Sequence, residues 1–431
     1  MSPELARWED AGDRRKIEAF FSRPAVDPEC ENAARKILES VRTGGDRAVV
    51  EFAREFDGSD LKESDLAVHE NEIDEAASAV SEKDRKAIQE AIKRVSAFAE
   101  KGMRKDWRMK SPHGGILGEQ FVPFDRVGVY VPGGAAPLVS TVIMTVTLGK
   151  TAGVKEIAAC TPSRKQEGIS PEILYALGAA GATEIYRVGG VHAVGMMAYG
   201  TETVRKVRKI VGPGGPYVTA AKKLVYGDTA LDLVAGPSEI AVIADETAEI
   251  KCIAADLLSQ VEHGTGWERA LLVTTSPDVA KKVAAELEIQ CDSLSRRKQA
   301  ARVMQEGMLF VITGNIEEAV EVCNRFAPEH LELMTENPEG LLSGIRAAGA
   351  VFLGKWSPEC AGDFVAGPSH VLPTGGTAGM FSGLTVDDFR LRTSLIGFNE
   401  EDLKETLPVI EAFGKMEGLD GHARSARLRF E

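Results

Sequence analysis

The stretch Arg126-Val127-Gly128-Val129-Tyr130-Val131-Pro132-Gly133-Gly134 runs from a β-branched apolar segment straight into a turn that no strand can continue through. Residues 127–131 therefore read as a short buried strand. The same signature recurs at 156–160, 184–188, 240–244, 270–274, 309–312 and 350–353, with helical patterns between. Strands alternating with helices indicate βαβ units and largely parallel sheets. The fold class expected is α/β: two Rossmann-like parallel-sheet domains with smaller helical N- and C-terminal segments. In the first segment, Ile88, Ala91, Ile92, Val95 and Ala99 recur at helical spacing, and Gly102 stands where that helix would end. A second helix start is expected near residue 400. The stretch Ala235-Gly236-Pro237-Ser238-Glu239 is echoed by Ala366-Gly367-Pro368-Ser369-His370. Either two similar domains or chance recurrence of a Gly-Pro turn accounts for it.

At 431 residues the chain is too long for one ordinary core. Its formal net charge of −14 would be repelled by a phosphate backbone, so no nucleic-acid partner is expected. The densest basic run, Arg205-Lys206-Val207-Arg208-Lys209, reads as a solvated face. No apolar window of about 18 residues appears, so no membrane span is expected. The N-terminus lacks the plan of a secretory signal, and the six cysteines are scattered without a C-x-x-C pair. A reducing cytoplasm fits; Cys360, close to Asp363, is expected as a buried bystander thiol, with a site role as the alternative. Gly149-Lys150-Thr151 resembles the end of a phosphate loop, but the glycine required five positions earlier is Met144. The turns Pro132-Gly133-Gly134, Gly189-Gly190 and Gly212-Pro213-Gly214-Gly215 follow strands. Ligands of open α/β sheets bind at the carboxyl ends of strands, which makes these turns candidate cofactor contacts.

Two motifs carry candidate chemistry. In Ser259-Gln260-Val261-Glu262-His263-Gly264, Gln260 and His263 sit three apart on an expected helix. Ala254, Leu257, Leu258 and Val261 form its buried stripe, leaving Gln260 and His263 together on another face. An amide oxygen and an imidazole suit a borderline cation such as Zn²⁺, and a polar helix end is the bland alternative. In Pro328-Glu329-His330 a histidine beside a carboxylate can take a proton near neutral pH. Adjacent strand residues point to opposite faces, so joint action requires a bend at Pro328. Asp363 in a turn-rich segment reads as a hard ligand or a turn former, and His422 as a ligand or a tail histidine.

Together these segments resemble the histidinol dehydrogenase family along nearly the whole chain. The resemblance rests on the 126–134 stretch, Ala235-Gly236-Pro237-Ser238-Glu239, Ser259-Gln260-Val261-Glu262-His263-Gly264 and Ala327-Pro328-Glu329-His330-Leu331. It continues through Gly362-Asp363 and His370-Val371-Leu372-Pro373-Thr374 to Glu417-Gly418-Leu419 and His422. It implies a Zn²⁺- and NAD-dependent enzyme oxidising an alcohol to a carboxylate in two hydride transfers. It assigns the metal to Gln260, His263, Asp363 and His422, the alcohol proton to His330, and water activation to Glu329. Ser238, His370 and Glu417 would line the substrate pocket with these ligands, and Tyr130, His192 and Gly215 would contact NAD. It implies a homodimer with shared active sites, Glu417 and His422 acting in trans. The domains expected are a helical 1–110 region, an α/β domain at 126–238 with NAD turns, another at 239–374 with the zinc and acid/base residues, and a helical 375–431 segment.

Three positions depart from the family pattern. His192 stands where Gln is usual, Gly215 where Asn is usual, and Thr265-Gly266-Trp267-Glu268 replaces the residues usual after Gly264. These departures motivate a sister dehydrogenase for another small polar primary alcohol, such as a sulfonated diol. A zinc hydrolase and a non-catalytic zinc-binding protein are the readings from other classes.

Overall fold

The computed structural model describes residues 3–23, 28–133, 137–163, 168–233, 236–262 and 266–431. Its first strand, β1 (Glu4–Arg7), is followed by helices up to Glu82–Gly102, which ends at the expected glycine and buries Ile88, Ala91, Val95 and Ala99. Next come β2 (Trp107–Lys110) and β3 (Ile116–Pro123). Strands β4 (Arg126–Tyr130), β5 (Glu156–Cys160), β6 (Glu184–Tyr186), β7 (Lys209–Val211) and β8 (Ala230–Leu231) make one sheet. Strands β9 (Glu239–Ala244), β10 (Arg269–Thr274), β11 (Met308–Ile312), β12 (His330–Met334) and β13 (Ala350–Leu353) make another, joined at one edge by β1. β14 (Arg390–Gly397) pairs antiparallel with β3, and β2 completes this small third sheet.

All strand pairs in the two large sheets are parallel, as the alternation of strands and helices requires. Their orders are β6-β5-β4-β7-β8 and β11-β10-β9-β12-β13. Numbered within each sheet, both read 3-2-1-4-5, so each is doubly wound with a switch beside its first strand. Both sheets are covered on both faces. Ile157 and Ala159 enter one core cluster, while Ala158 and Cys160 enter another. Ile240, Val242 and Ala244 likewise face away from Ala241 and Ile243. Two-sided burial explains why these strands read as unbroken apolar runs rather than as alternating ones. The Gly-Pro echo does not mark this likeness. Residues 236–239 lead into β9, whereas 366–370 follow the short helix Glu359–Phe364 and enter no strand.

Several expectations are corrected. The 375–431 segment is helical at Glu400–Glu417 and Asp420–Arg427, but β14 precedes these helices. β14 is exposed along most of its length, so its sequence lacks the apolar signature that marked the buried strands. The basic run is not a solvated face throughout. Val207 is fully buried, and buried Lys209 donates to the Asp388 carbonyl oxygen at 2.7 Å. Arg205 pairs with Glu156 at 2.9 Å. Cys360 is exposed rather than buried. No helix among the described residues is long and apolar enough to cross a membrane.

Candidate active site

β9 and β12 lie side by side at the switch of the six-stranded sheet, with His330 opposite Ile240. Their amino ends carry the site. The helix Ile316–Phe326 ends in Ala327, whose φ of 48° is the only left-handed value for a non-glycine residue among those described. Such a backbone costs about 1–3 kcal/mol and persists where its surroundings enforce it. The bend needed for joint action is therefore at Ala327 and Pro328. It leaves Glu329 outside β12, free of the alternation rule, and His330 as the first strand residue.

Both side chains turn onto one residue. The Glu239 N–H donates to Glu329 Oε2 at 2.9 Å, and His330 Nδ1 lies 3.0 Å from the Glu239 carbonyl oxygen. A carbonyl only accepts, so His330 Nδ1 carries the proton and Nε2 is the basic nitrogen. Nε2 faces Glu359 Oε1 at 3.7 Å and Asp363 Oδ1 at 3.9 Å. His370 Nδ1 reaches the same Asp363 oxygen at 3.6 Å. A cavity of about 470 Å³ opens here, lined by His330, Phe352, Trp356, Gly362, His370 and Leu372 among others. That volume suits a small ligand.

The surroundings are acidic and buried. Burial pushes the Glu329 carboxyl well above its ordinary range, against the lowering effect of the Glu239 N–H. Burial also raises Asp363 and Asp256 to about 6 each and lifts Glu332 well above its ordinary range, with Asp256 adding to the latter. Carboxylates crowded out of water are stabilised by a cation. Among the described residues, His330, Glu359 and Asp363 form the one group of three side chains placed to hold a metal, their donor atoms within 4.8 Å of one another.

Only Asp363 of the four sequence-assigned metal ligands belongs to that group. Gln260 is fully buried in the last turn of the helix Ile250–Val261. His263 lies outside the described residues. Glu417 and His422 are exposed on the C-terminal helices, and His422 joins no ligand group among the described residues of this chain. Ser238 is half-buried just before β9, its carbonyl accepting from the Arg269 N–H at 3.2 Å. Glu359 escaped sequence reading. Its i, i+4 spacing to Asp363 in Glu359-Cys360-Ala361-Gly362-Asp363 was the available signal, since that spacing puts both carboxylates on one helix face.

The expected cofactor residues cluster elsewhere, at the carboxyl edge of the five-stranded sheet. Tyr130 ends β4, its hydroxyl accepting from the Gly190 N–H at 3.1 Å and its pKa pushed up to about 12 by burial. His192 is fully buried in the helix Gly190–Tyr199, with Nε2 3.4 Å from Asp57 Oδ2. Gly212 has a φ of 116°, and a Cβ there would collide with the Tyr130 carbonyl oxygen, so only glycine fits this turn. Gly215 opens the helix Pro216–Leu224 and faces open space. The two clusters adjoin. His370 Nε2 lies 3.4 Å from Thr141 Oγ1, in the first turn of the helix Val139–Ala152 that follows β4.

Fold and site define a class: a two-sheet α/β protein with an acid-rich histidine centre between the carboxyl edge of one doubly wound sheet and the amino edge of the other. The family model described as histidinol dehydrogenase matches residues 22–430. A histidinol dehydrogenase from Carboxydothermus hydrogenoformans is 42% identical over 413 residues, covering 96% of this chain and 97% of that protein. One from Heliobacterium mobile is 44% identical over 396 residues, covering 92% of each. The crystal structure of histidinol dehydrogenase from Elizabethkingia anophelis superposes with a TM-score of 0.94 at 34% identity, covering 99% of this chain and 98% of that one. The chain belongs to the histidinol dehydrogenase family.

Proposed function

We propose that this protein oxidises L-histidinol to L-histidine in two NAD-linked steps through an aldehyde, using a divalent zinc ion. The observation that carries the reading is the His330 imidazole, its Nδ1 proton committed to the Glu239 carbonyl and its Nε2 turned toward Asp363. In the first step Nε2 takes the alcohol proton as the carbon gives up hydride. In the second, Glu329 takes a proton from water as the water adds to the aldehyde; the hydrate anion then loses a further hydride, and the carboxylic acid so formed releases its proton to solvent to leave a carboxylate. A buried carboxylate with a raised pKa is a stronger base for this task than an exposed one.

The donor set fits a zinc ion. Asp363 stands in a cluster of nitrogen and oxygen donors, and Gln260 is buried in the adjacent helix end. Asp363, Gln260, His263 and a partner's His422 would hold it. The geometric cluster offers a competing set, His330, Glu359 and Asp363. We favour the first because it leaves His330 Nε2 for the proton, which one lone pair cannot serve while also binding a metal. Bound there, Zn²⁺ would fix and polarise the substrate, and NAD would supply the hydride acceptor. Tyr130, His192 and Gly215 would contact NAD; Ser238, His370 and Glu417 would orient substrate.

A homodimer is part of the reading. The C-terminal helices expose Val409, Phe413 and Met416, the turn between them exposes Leu419, and β14 exposes Ile396. Exposed apolar patches of this kind mark interaction surfaces. A second copy covering them would bring the exposed Glu417 and His422 into use.

The test is NADH formation across L-histidinol and small diols, with and without chelator. Turnover of L-histidinol alone, lost on chelation and restored by Zn²⁺, is expected. Preference for a sulfonated diol would make this a sister enzyme, for which open Gly215 and exposed Trp267 are the motivating features. Turnover without nicotinamide would favour hydrolysis.

A further inference from the structure

We propose that Arg23 and Glu239 form a positioning pair that sets the orientation of both Glu329 and His330; this rests on the catalytic reading of those two residues. Glu239 touches each of them through its own peptide groups, its N–H on the Glu329 carboxylate and its carbonyl on His330 Nδ1. A rotation of that one residue would misplace both bases together. Its side chain leaves no room for such rotation. Arg23 Nε makes a 2.6 Å ion pair with Oε1, and Arg23 Nη2 donates to Oε2 at 3.2 Å. The backbone of Gly375 and Gly376 also adjoins this carboxylate and favours its charged form. Only 8% of the Arg23 side chain and 2% of the Glu239 side chain are exposed.

Arg23 also reaches the other strand of the site. Its Nη2 donates to the Phe326 carbonyl oxygen at 2.8 Å, and its guanidinium lies 4.0 Å from the Phe326 ring centroid. Phe326 is the last residue of its helix, directly before the left-handed Ala327 and the Pro328-Glu329-His330 segment. One guanidinium therefore clamps the start of β9 and the approach to β12. A planar fork presents donors from two nitrogens to these acceptors and stacks on the ring, whereas an ammonium is a single point of charge without that geometry. Arg23 comes from the N-terminal region, over 200 residues away in sequence, and is not itself among the residues that line the pocket.

The test compares three variants of the full-length, zinc-loaded enzyme. Arg23→Lys keeps the charge and loses the fork. Arg23→Met with Glu239→Gln removes both charges, so neither member of the pair is left as a lone buried ion. His330→Asn is the control for the catalytic reading. For Arg23→Lys and the double variant we expect kcat for alcohol and aldehyde oxidation to fall together, by about 10-fold or more, since misplacement of about 1 Å can cost up to about 100-fold. KM for NAD and zinc content should stay within about twofold, and Arg23→Lys should retain more activity than the double variant. Parental kcat in Arg23→Lys would overturn the proposal, even if the double variant does not fold. A lower melting temperature with kcat per folded molecule unchanged would make the pair purely structural, and would overturn it too. If His330→Asn keeps full alcohol oxidation, the catalytic reading fails instead.

Discussion

The two large sheets share one strand order and are used at opposite ends. In the five-stranded sheet, the glycine turns with Tyr130, His192 and Gly215 gather at the carboxyl edge, where open α/β sheets ordinarily bind nucleotides. In the six-stranded sheet, Glu239, Glu329 and His330 gather at the amino edge. The carboxyl edge offers backbone N–H groups and glycine turns, which suit phosphates. The amino edge offers buried carboxylates and one oriented imidazole, which suit a cation and proton transfer. Topology alone therefore does not say which edge works. What faces that edge decides, and here His370 and Thr141 bring the two together.

The comparison predicts a division of labour, sharpest at the amino edge. His330→Asn should slow alcohol oxidation by about 100-fold to 10,000-fold, the usual worth of a positioned base. Glu329→Gln should spare that step and slow aldehyde oxidation by a similar factor, with KM for NAD unchanged in both variants. Equal loss of both steps in Glu329→Gln would contradict the separate roles. Stopped-flow measurement of NADH formation from the alcohol and from the aldehyde distinguishes the outcomes.

If the amino-edge centre is completed by a second copy, Asp363→Asn and His422→Ala chains, each inactive alone, should complement when mixed. Random re-pairing makes half the dimers mixed, and each of those holds one intact site, so about a quarter of parental activity should return. No recovery would place both residues in the same chain's site. Zinc content in His330→Asn measures the competing ligand set, because loss of zinc there would favour His330, Glu359 and Asp363 as the holders.

At the carboxyl edge, effects should be smaller and confined to cofactor binding. Gly215 has a φ of −67° and open space around it, so Gly215→Asn should fold normally. A few-fold lower KM for NAD with unchanged kcat is expected; a fall in kcat would show that the edges are not separable. The smallest effect is on stability. Burial raises Asp256 to about 6 and Glu332 well above its ordinary range, so the folded protein binds more protons than the unfolded chain above the ordinary carboxylate range. Stability of the metal-free protein from this pair is complete below about pH 4 and falls as pH rises through 6. Asp256→Asn should flatten that fall in melting curves, and Gly215→Asn should leave it unchanged.

Much of this was legible in the chain. The seven apolar runs read as strands all fall on strands, because two-sided burial demands continuous apolar sequence. β12 was harder, since its buried Glu332 and its leading His330 break the apolar run. β2, β3 and β14 were missed because exposed antiparallel strands carry no such run. Glu329, His330 and Asp363 could be singled out by residue type beside Gly and Pro, and the structure brings them together. Glu359 offered only its spacing to Asp363, and Glu239 and Arg23 offered nothing, because a lone glutamate or arginine reads as surface charge until its burial is known.

The sequence by itself determined the class of fold and the family, since both rest on local runs and ordered motifs that need no third dimension. The tertiary structure alone decided which edge of each sheet carries the site, which His330 nitrogen bears the proton, and that Arg23 reaches Glu239. Those facts depend on side chains far apart in the chain meeting in a space from which water is excluded. There a hydrogen bond or an ion pair has one available partner, and no pattern along the chain specifies it.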